Sequence, residues 1–131
     1  MTEHSAEKNL TDSAWIEAGR KVLAIEQTAI NSLHARLDHS FAQACQHLLN
    51  CKGRVICTGM GKSGHIANKI AATLASTGTP AFYVHPGEAS HGDLGMILDT
   101  DVVLALSYSG ESDEINMIMP VLKRQGNVII S

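Results

Sequence analysis

Residues 59–65, GMGKSGH, bring three glycines, a lysine, a serine and a histidine into one short segment. Gly59, Gly61 and Gly64 have the GxGxxG spacing of loops whose backbone turns tightly and lets a phosphate group approach. A triphosphate-binding loop would also need glycine at position 56, where this chain has Ile56. The segment therefore predicts either a dinucleotide site or a structural turn between a strand and a helix.

A second candidate segment is SYSGES, residues 107–112. Ser107, Ser109 and Ser112 surround Gly110 just before a predicted helix, so hydroxyl groups and the first helix amides can converge on an anion. The alternative is an ordinary helix N-cap made by one of these serines, which does not account for three of them around a glycine. We therefore predict a phosphate-binding loop.

The elements that position these segments are predicted from apolar runs and helical periodicity. Four short runs without regular alternation indicate strands buried on both faces of a parallel sheet: residues 55–58, 81–84, 101–107 and 127–131. Helices are predicted over residues 63–77 and 112–125, each closed by a glycine. This alternation predicts a three-layer α/β/α sandwich with a parallel sheet and right-handed crossovers. Ligands bind at the carboxyl ends of strands in that architecture, where GMGKSGH, HPGEASHGD and SYSGES meet.

The amino-terminal third of the chain has a different pattern. We expect residues 1–12 to be flexible and residues 13–52 to form helices that pack on the domain or pair subunits. One apolar face of a long first helix is predicted from Ile16, Leu23, Ile30, Leu33 and Leu37. Ser40 is the expected N-cap of a second helix, and Gly53 is expected to end the turn after it.

Composition excludes several classes of protein. With 131 residues, 18% charged residues and a formal charge of −3, the chain is typical of one globular domain and gives no reason to expect nucleic acid or a membrane as partner. The polar amino terminus lacks a secretory signal. Three cysteines without a CxxC pair suit a reducing compartment, so we expect a cytoplasmic protein.

These segments together resemble a known family. GMGKSGHIANKIAATLASTGTPAFYVHPGEASHGDLGMI, SYSGESDEI and PVLKR are similar in order and spacing to the sugar isomerase (SIS) domain of the D-arabinose-5-phosphate isomerase family. The resemblance implies a five-stranded parallel sheet, a homo-oligomer, usually a tetramer, and often a following pair of CBS domains. It also implies interconversion of D-ribulose 5-phosphate and D-arabinose 5-phosphate, which supplies 3-deoxy-D-manno-octulosonate synthesis.

Such an isomerisation moves a proton between C1 and C2 through a cis-enediolate, so it needs a base and a group that stabilises an oxyanion. The resemblance implies catalytic roles for Glu114, Lys62 and His91. The predicted substrate-binding residues are Gly61, Ser63, Gly64, His85, Ser107, Ser109, Gly110 and Ser112. His65 lies near the same edge and ranks lower, because histidines beside strand ends are more often structural.

We expect neither a cofactor nor a metal ion. A metal triad of His85, Glu88 and His91 has roughly helical spacing, but Pro86 and Gly87 interrupt it. Tyr108 departs from the family, which commonly has asparagine there, and this leaves the substrate preference open. The resemblance also implies further site residues from a second half of the domain, so the domain is expected to be truncated after the fourth strand and poorly active alone.

Two other functions stay open. One is a regulatory SIS module that binds a sugar phosphate without turnover. The other is a dinucleotide-binding module, although such a fold wants an acidic residue at the tip of the second strand, and this strand runs into His85 and Pro86 before Glu88.

Overall fold

The computed structural model of this chain describes residues 11–89 and 92–131. The chain divides into two compact units, Met1–Ser40 and Phe41–Ser131. The helices are α1 (Asp12–Ser32), α2 (His39–Leu49), α3 (Gly61–Ser76), α4 (Pro86–Ala89) and α5 (Asp113–Gln125). The strands are β1 (Val55–Gly59), β2 (Ala81–Val84), β3 (Val102–Leu106) and β4 (Val128–Ile130), and 3-10 turns cover Leu33–Arg36 and Asp93–Met96.

The first helix is shorter than its apolar pattern predicts. α1 ends at Ser32, and Leu33 begins the 3-10 turn, so the expectation that Leu33 and Leu37 extend the same α-helical face is wrong. Leu37 has an extended backbone, with φ −78° and ψ 93°, which breaks the helical path. No residue of α1 is buried in this unit.

The predicted ends of the second helix also need correction. α2 begins at His39, and the Ser40 amide donates to Oδ1 of Asp38 at 2.8 Å, so Asp38 rather than Ser40 supplies the capping oxygen. Gly53 does not have the left-handed conformation of a helix-ending glycine. A Cβ there would collide with Oδ1 of Asp101 and lie 2.9 Å from the Thr100 carbonyl oxygen, so this position needs glycine because another segment approaches it closely.

The four strands form one parallel sheet in the order β2-β1-β3-β4. β1 is central: Val55 pairs with Ala81 of β2 on one side and with Val102 of β3 on the other. β3 in turn pairs with β4, with Val102 opposite Val128. The parallel sheet and its alternation with helices confirm the predicted α/β architecture.

Helices cover both faces of the sheet, as a three-layer sandwich requires. On one face, Val55 and Cys57 pack with Ala67 and Ala71 of α3. On the other face, Ile56 and Val103 pack with side chains of α5, mainly Ile118 and Leu122. Successive residues of β1 thus enter opposite layers, which explains why this strand reads as an unbroken apolar run. Burial raises the pKa of the Cys57 thiol to about 11, so this cysteine is a core residue.

Candidate active site

The strand order creates a crevice between the carboxyl ends of β1 and β3. β1 continues into α3 on one face of the sheet, whereas β3 continues into α5 on the opposite face. Ligands of open parallel sheets bind where neighbouring strands send their connections in opposite directions. The register pairs Gly59 with Leu106, so the glycine segment and the serine segment both start at this crevice.

Each of the three glycines in GMGKSGH is required for a different physical reason. A Cβ on Gly59 would lie 2.9 Å from the Leu106 carbonyl oxygen of the neighbouring strand. Gly61 has φ +53°, a left-handed conformation that glycine adopts without strain. A Cβ on Gly64 would lie 2.5 Å from the Gly59 carbonyl oxygen and 2.7 Å from the hydroxyl of Tyr83. The spacing therefore serves tight packing of a strand-to-helix turn, and the structural interpretation of the motif accounts for all three positions.

α3 begins directly at Gly61. Its N-cap residue, Met60, makes no side-chain capping hydrogen bond, so the amides of the first turn and the positive end of the helix dipole face the crevice edge. Lys62 and Ser63 lie in this turn, with Lys62 exposed and Ser63 half-buried. This part of the site favours negative charge.

Beside the glycine segment lies a cleft of ≈ 290 Å³. Its lining residues are Gly61, Gly64, His65, Asn68, Tyr83 and His85. Nδ1 of His85 accepts the Gly87 amide proton at 3.2 Å, so the neutral imidazole carries its proton on Nε2. The cleft thus brings the predicted binding residue His85 together with two of the predicted glycines, and it also includes His65.

The serine segment is organised by its own hydroxyl groups. Oγ of Ser107 accepts the Gly110 amide proton at 3.0 Å and lies 3.2 Å from Oγ of Ser112. Oγ of Ser109 accepts the Glu111 amide proton at 3.2 Å, and Gly110 takes the left-handed conformation with φ 73°. All four predicted residues of this segment therefore belong to one compact loop.

The N-cap alternative for these serines is wrong in this structure. Ser112 occupies the N-cap position of α5, but its side chain makes no capping hydrogen bond with the helix. The serine hydroxyls bond within the loop and leave the first amides of α5 without a side-chain cap. Together with the helix dipole, this arrangement suits an anion.

The structure describes two of the three predicted catalytic residues. Lys62 lies in the first turn of α3, and Glu114 lies half-buried in the first turn of α5, beside the serine loop. The two helices leave adjacent strands. His91 lies outside the described residues.

The structure does not test the suggested metal triad as a whole, because one of its three residues lies outside the described part of the chain. Among residues 11–89 and 92–131, no group of three or more histidine, cysteine, aspartate or glutamate side chains is placed to hold a metal ion. Of the triad, Glu88 is exposed in α4, and His91 falls outside the described positions.

Among the described residues, no helix is both long enough and apolar enough to cross a bilayer.

Tyr83 is a site residue that the sequence analysis missed. Its hydroxyl donates to the Gly59 carbonyl oxygen at 2.8 Å, and its ring lines the cleft with Asn68. In the sequence it is one residue of the apolar run AFYV, and its role depends on the pairing of β2 with β1. A tyrosine two residues before His85 on a predicted strand was the only available signal.

The fold and the two anion-suited loops define an α/β domain with a candidate binding site at the carboxyl edge of its parallel sheet, and comparison with known proteins identifies the family. The family model "SIS domain" matches residues 48–131, more than half of the chain. The chain therefore belongs to the SIS domain family.

Individual relatives are enzymes with related names. The chain is 58% identical over 114 residues to "Arabinose 5-phosphate isomerase KdsD" from Yersinia pestis, covering 87% of this chain and 35% of that protein. Its match to the protein of the same name from Pseudomonas aeruginosa is 56% identical over 117 residues, covering 89% of this chain and 36% of that protein. The chain thus spans about a third of the length of the curated relatives it matches.

Among solved structures, the chain is similar to c3406 from E. coli CFT073, determined in complex with arabinose 5-phosphate. The TM-score is 0.87 at 43% sequence identity, and the match covers 93% of this chain and 65% of that one. This similarity confirms the predicted fold class.

Proposed function

We propose that this chain carries the substrate-binding loops of an aldose-ketose isomerase that interconverts D-ribulose 5-phosphate and D-arabinose 5-phosphate. One observation supports this most directly: the serine loop and the amino terminus of α3 lie side by side at the β1/β3 crevice. The names of the relatives and the arabinose 5-phosphate complex of the similar solved structure support the choice of sugar. The product would feed synthesis of 3-deoxy-D-manno-octulosonate.

In this proposal the serine loop binds the phosphate group. The hydroxyls of Ser107 and Ser112 are 3.2 Å apart, so one phosphate can accept hydrogen bonds from both. The first amides of α5 and its dipole add further attraction for the anion. Ser63 and the first turn of α3 contribute donors from the other side of the crevice.

Holding the phosphate there places the sugar carbons near the first turns of α3 and α5. Glu114 is the proposed base that moves the proton between C1 and C2, because a carboxylate one turn from the phosphate loop can reach the chain of a bound pentose. Lys62 is proposed to stabilise the enediolate oxygen by its charge. His91 is proposed to assist ring opening or proton transfer, and His85 can donate from Nε2 to a sugar hydroxyl.

Proton NMR in deuterated water tests the reaction. The purified full-length protein is incubated with D-ribulose 5-phosphate, and the spectrum is followed for product and for deuterium at C2. We expect D-arabinose 5-phosphate carrying deuterium at C2, because the base that takes the C1 proton exchanges it with solvent before it protonates C2. Product formed without deuterium would instead indicate hydride transfer, and no product at all would contradict the proposed activity.

Ligand binding without turnover is the second candidate function. Both binding loops lie within residues 59–112, so a sugar phosphate can be recognised by this chain whether or not chemistry follows. Calorimetric binding of D-arabinose 5-phosphate in the absence of any isomerisation would favour a regulatory module.

We also propose that the chain self-associates through α1, as a tetramer in the cytoplasm. α1 has no buried residue, and large apolar side chains recur on it at seven-residue spacing: Ile16, Leu23 and Ile30, which are 56%, 70% and 62% exposed. Apolar stripes of this kind are normally covered by a partner. Replacing Leu23 and Ile30 by glutamate should lower the mass in sedimentation, whereas the exchange Lys21→Glu on the opposite face of the same helix should not. Equal masses for all three proteins would contradict this.

A further inference from the structure

We propose that Tyr83 is a positioning residue: its hydroxyl fixes the carbonyl of Gly59 and thereby sets the path of the glycine segment and the first turn of α3. This inference rests on the proposed function, because its catalytic consequence passes through Lys62 in that turn. Tyr83 itself is not assigned contact with the reacting atoms.

The hydrogen bond joins two neighbouring strands at the point where one of them ends. Tyr83 of β2 pairs with Cys57 of β1, two residues before Gly59, so its side chain lies on the face of the sheet that α3 covers. From there its hydroxyl reaches along the strand to the Gly59 carbonyl oxygen at 2.8 Å. That carbonyl is the last of β1, so the bond holds the chain at the exit from the sheet.

Gly64 makes room for this bond. A Cβ at position 64 would lie 2.7 Å from the Tyr83 hydroxyl and 2.5 Å from the Gly59 carbonyl oxygen, which are the two atoms that the hydrogen bond joins. Since real side-chain atoms do not approach so closely, any larger residue would separate donor from acceptor. Gly64 of α3 and Tyr83 of β2 therefore act together: the lack of a side chain at position 64 lets the tyrosine hydroxyl reach the Gly59 carbonyl oxygen.

The first turn of α3 depends on this anchor. The Gly64 amide donates to the Met60 carbonyl oxygen at 3.2 Å, closing the turn that contains Lys62. No side chain caps this helix at its N-cap residue Met60, so the usual local means of fixing a helix start is missing here. Instead, the hydrogen bond from Tyr83 to the Gly59 carbonyl, one residue before Met60, fixes the start of the helix.

The donor stays protonated under ordinary conditions. Burial, and to a lesser degree the negative charge of Glu88, raise the pKa of Tyr83 above its usual value. A phenol with a raised pKa keeps its O–H through neutral and mildly alkaline pH. The anchor is therefore independent of pH in the range where the isomerase would work.

The test compares Tyr83→Phe with Phe82→Leu. Phe82 is the adjacent residue of β2, packs in the opposite layer and stacks under the Arg54 guanidinium at 4.9 Å. Its replacement lowers stability without touching Gly59. Each protein is measured for kcat, KM, thermal midpoint and hydrogen-deuterium exchange of the Gly64 amide, which is the hydrogen-bonded amide of this turn.

We expect Tyr83→Phe to lower kcat about tenfold and change KM by less than about threefold, because Lys62 would be misplaced for the transition state while the phosphate loop stays intact. Exchange of the Gly64 amide, which bonds to the Met60 carbonyl, should rise about fivefold or more, since a hydrogen bond of ordinary strength restrains the turn. Phe82→Leu should lower the thermal midpoint. It should leave the amide exchange unchanged, and it should not lower kcat selectively relative to KM.

Gly64→Ala supplies a second variant that breaks the same bond from the other side. Because both changes remove one contact, the double variant should lose no more than the worse single variant, instead of the product of the two losses. Multiplicative losses would show that the residues act separately and would overturn the proposal.

Unchanged exchange of the Gly64 amide in Tyr83→Phe would also overturn it, as would a kcat loss matched by Phe82→Leu. If the unmodified protein produces no D-arabinose 5-phosphate, the proposed function fails, and amide exchange alone decides whether Tyr83 holds the turn. The two failures are therefore distinguishable.

Discussion

Arg54 and Asp101 form an ion pair at the amino-terminal edge of the sheet, with 3.1 Å between Nη2 of the guanidinium and Oδ2 of the carboxylate. Oδ1 of Asp101 also accepts the Arg54 amide proton at 2.7 Å, and Oδ2 accepts the Leu98 amide proton at 2.9 Å. The Asp101 side chain is fully buried, whereas that of Arg54 is 38% exposed. This edge lies opposite the candidate active site, so the pair serves the fold and not the ligand.

The first prediction is that this carboxylate makes stability depend on pH. Burial alone would raise the pKa of Asp101, but hydrogen bonds from Leu98 and Arg54 and the charge of Arg54 outweigh it and lower the pKa. A carboxyl with a lowered folded-state pKa contributes its full stability above its unfolded-state pKa, about 4, and loses it as the pH falls through the folded-state value. Urea unfolding should therefore show a lower free energy of unfolding at pH 3 than at pH 7.

Asp101→Asn tests the same pair by mutation. We expect a loss of about 2 kcal/mol at pH 7, because several donors lose a charged acceptor, and a smaller difference between pH 3 and pH 7. Asp99→Asn is the matched control, since Asp99 is exposed two residues away, and it should change the free energy by less than about 0.5 kcal/mol. Equal pH dependence in both variants would contradict the role given to Asp101.

A second prediction concerns Gly53, which lies against the same carboxylate. Gly53→Ala should cost about 1–3 kcal/mol, because the added Cβ would overlap Asp101 Oδ1 and crowd the Thr100 backbone. Gly95→Ala is the control, since nothing lies within 4 Å of the Cβ it would add. Chemical unfolding of both variants measures the difference, and a Gly53→Ala protein as stable as Gly95→Ala would show that the neighbouring loop moves freely.

The layered architecture could be predicted from the sequence because its signal is local. β1 lies between two helical layers, so each of its residues is apolar or small, and the run VICT marks it without any knowledge of its partners. The glycines that end α3 and α5 were equally local signals: Gly78 and Gly126 both have left-handed backbones, with φ 97° and 85°. The three loops could be placed at one edge because parallel strands share their carboxyl ends.

The contacts between distant segments could not be predicted in this way. Asp101 is 47 residues from Arg54, and Tyr83 is 24 residues from Gly59, so neither hydrogen bond leaves a pattern within one segment. The N-cap of α2 could not be predicted for a related reason. Asp38 and Ser40 are both good capping residues, and only the backbone path decides which of them supplies the accepting oxygen. Gly53 was misassigned because close approach by another segment and a helix-ending turn both select glycine.

A third prediction tests the serine loop as the phosphate site. Ser107→Ala removes the acceptor of the Gly110 amide and the partner of Ser112, so both loop geometry and one phosphate donor are lost. We expect affinity for D-arabinose 5-phosphate to fall about tenfold in calorimetry, equivalent to one hydrogen bond of about 1.4 kcal/mol.

Ser76→Ala is the matched control for that measurement. Its hydroxyl donates to the Thr73 carbonyl oxygen at 2.9 Å on the exposed end of α3, away from the crevice, so affinity should be unchanged. If Ser107→Ala binds the sugar phosphate as tightly as Ser76→Ala does, the phosphate is held elsewhere.

The fourth prediction separates catalysis from binding at Glu114. Glu114→Gln preserves the size and hydrogen-bonding shape of the side chain but cannot accept a proton, so kcat should fall about 10²–10⁴-fold while affinity for the sugar phosphate changes less than about threefold. Asp113→Asn is the control, because Asp113 lies in the same first turn of α5 and is exposed, whereas Glu114 is half-buried. If Glu114 acted only through favourable charge at the helix amino terminus, both substitutions would lower stability by a few tenths of a kcal/mol and neither would change kcat. A large kcat loss confined to Glu114→Gln therefore distinguishes a proton-transferring carboxylate from a charge that merely complements the helix dipole.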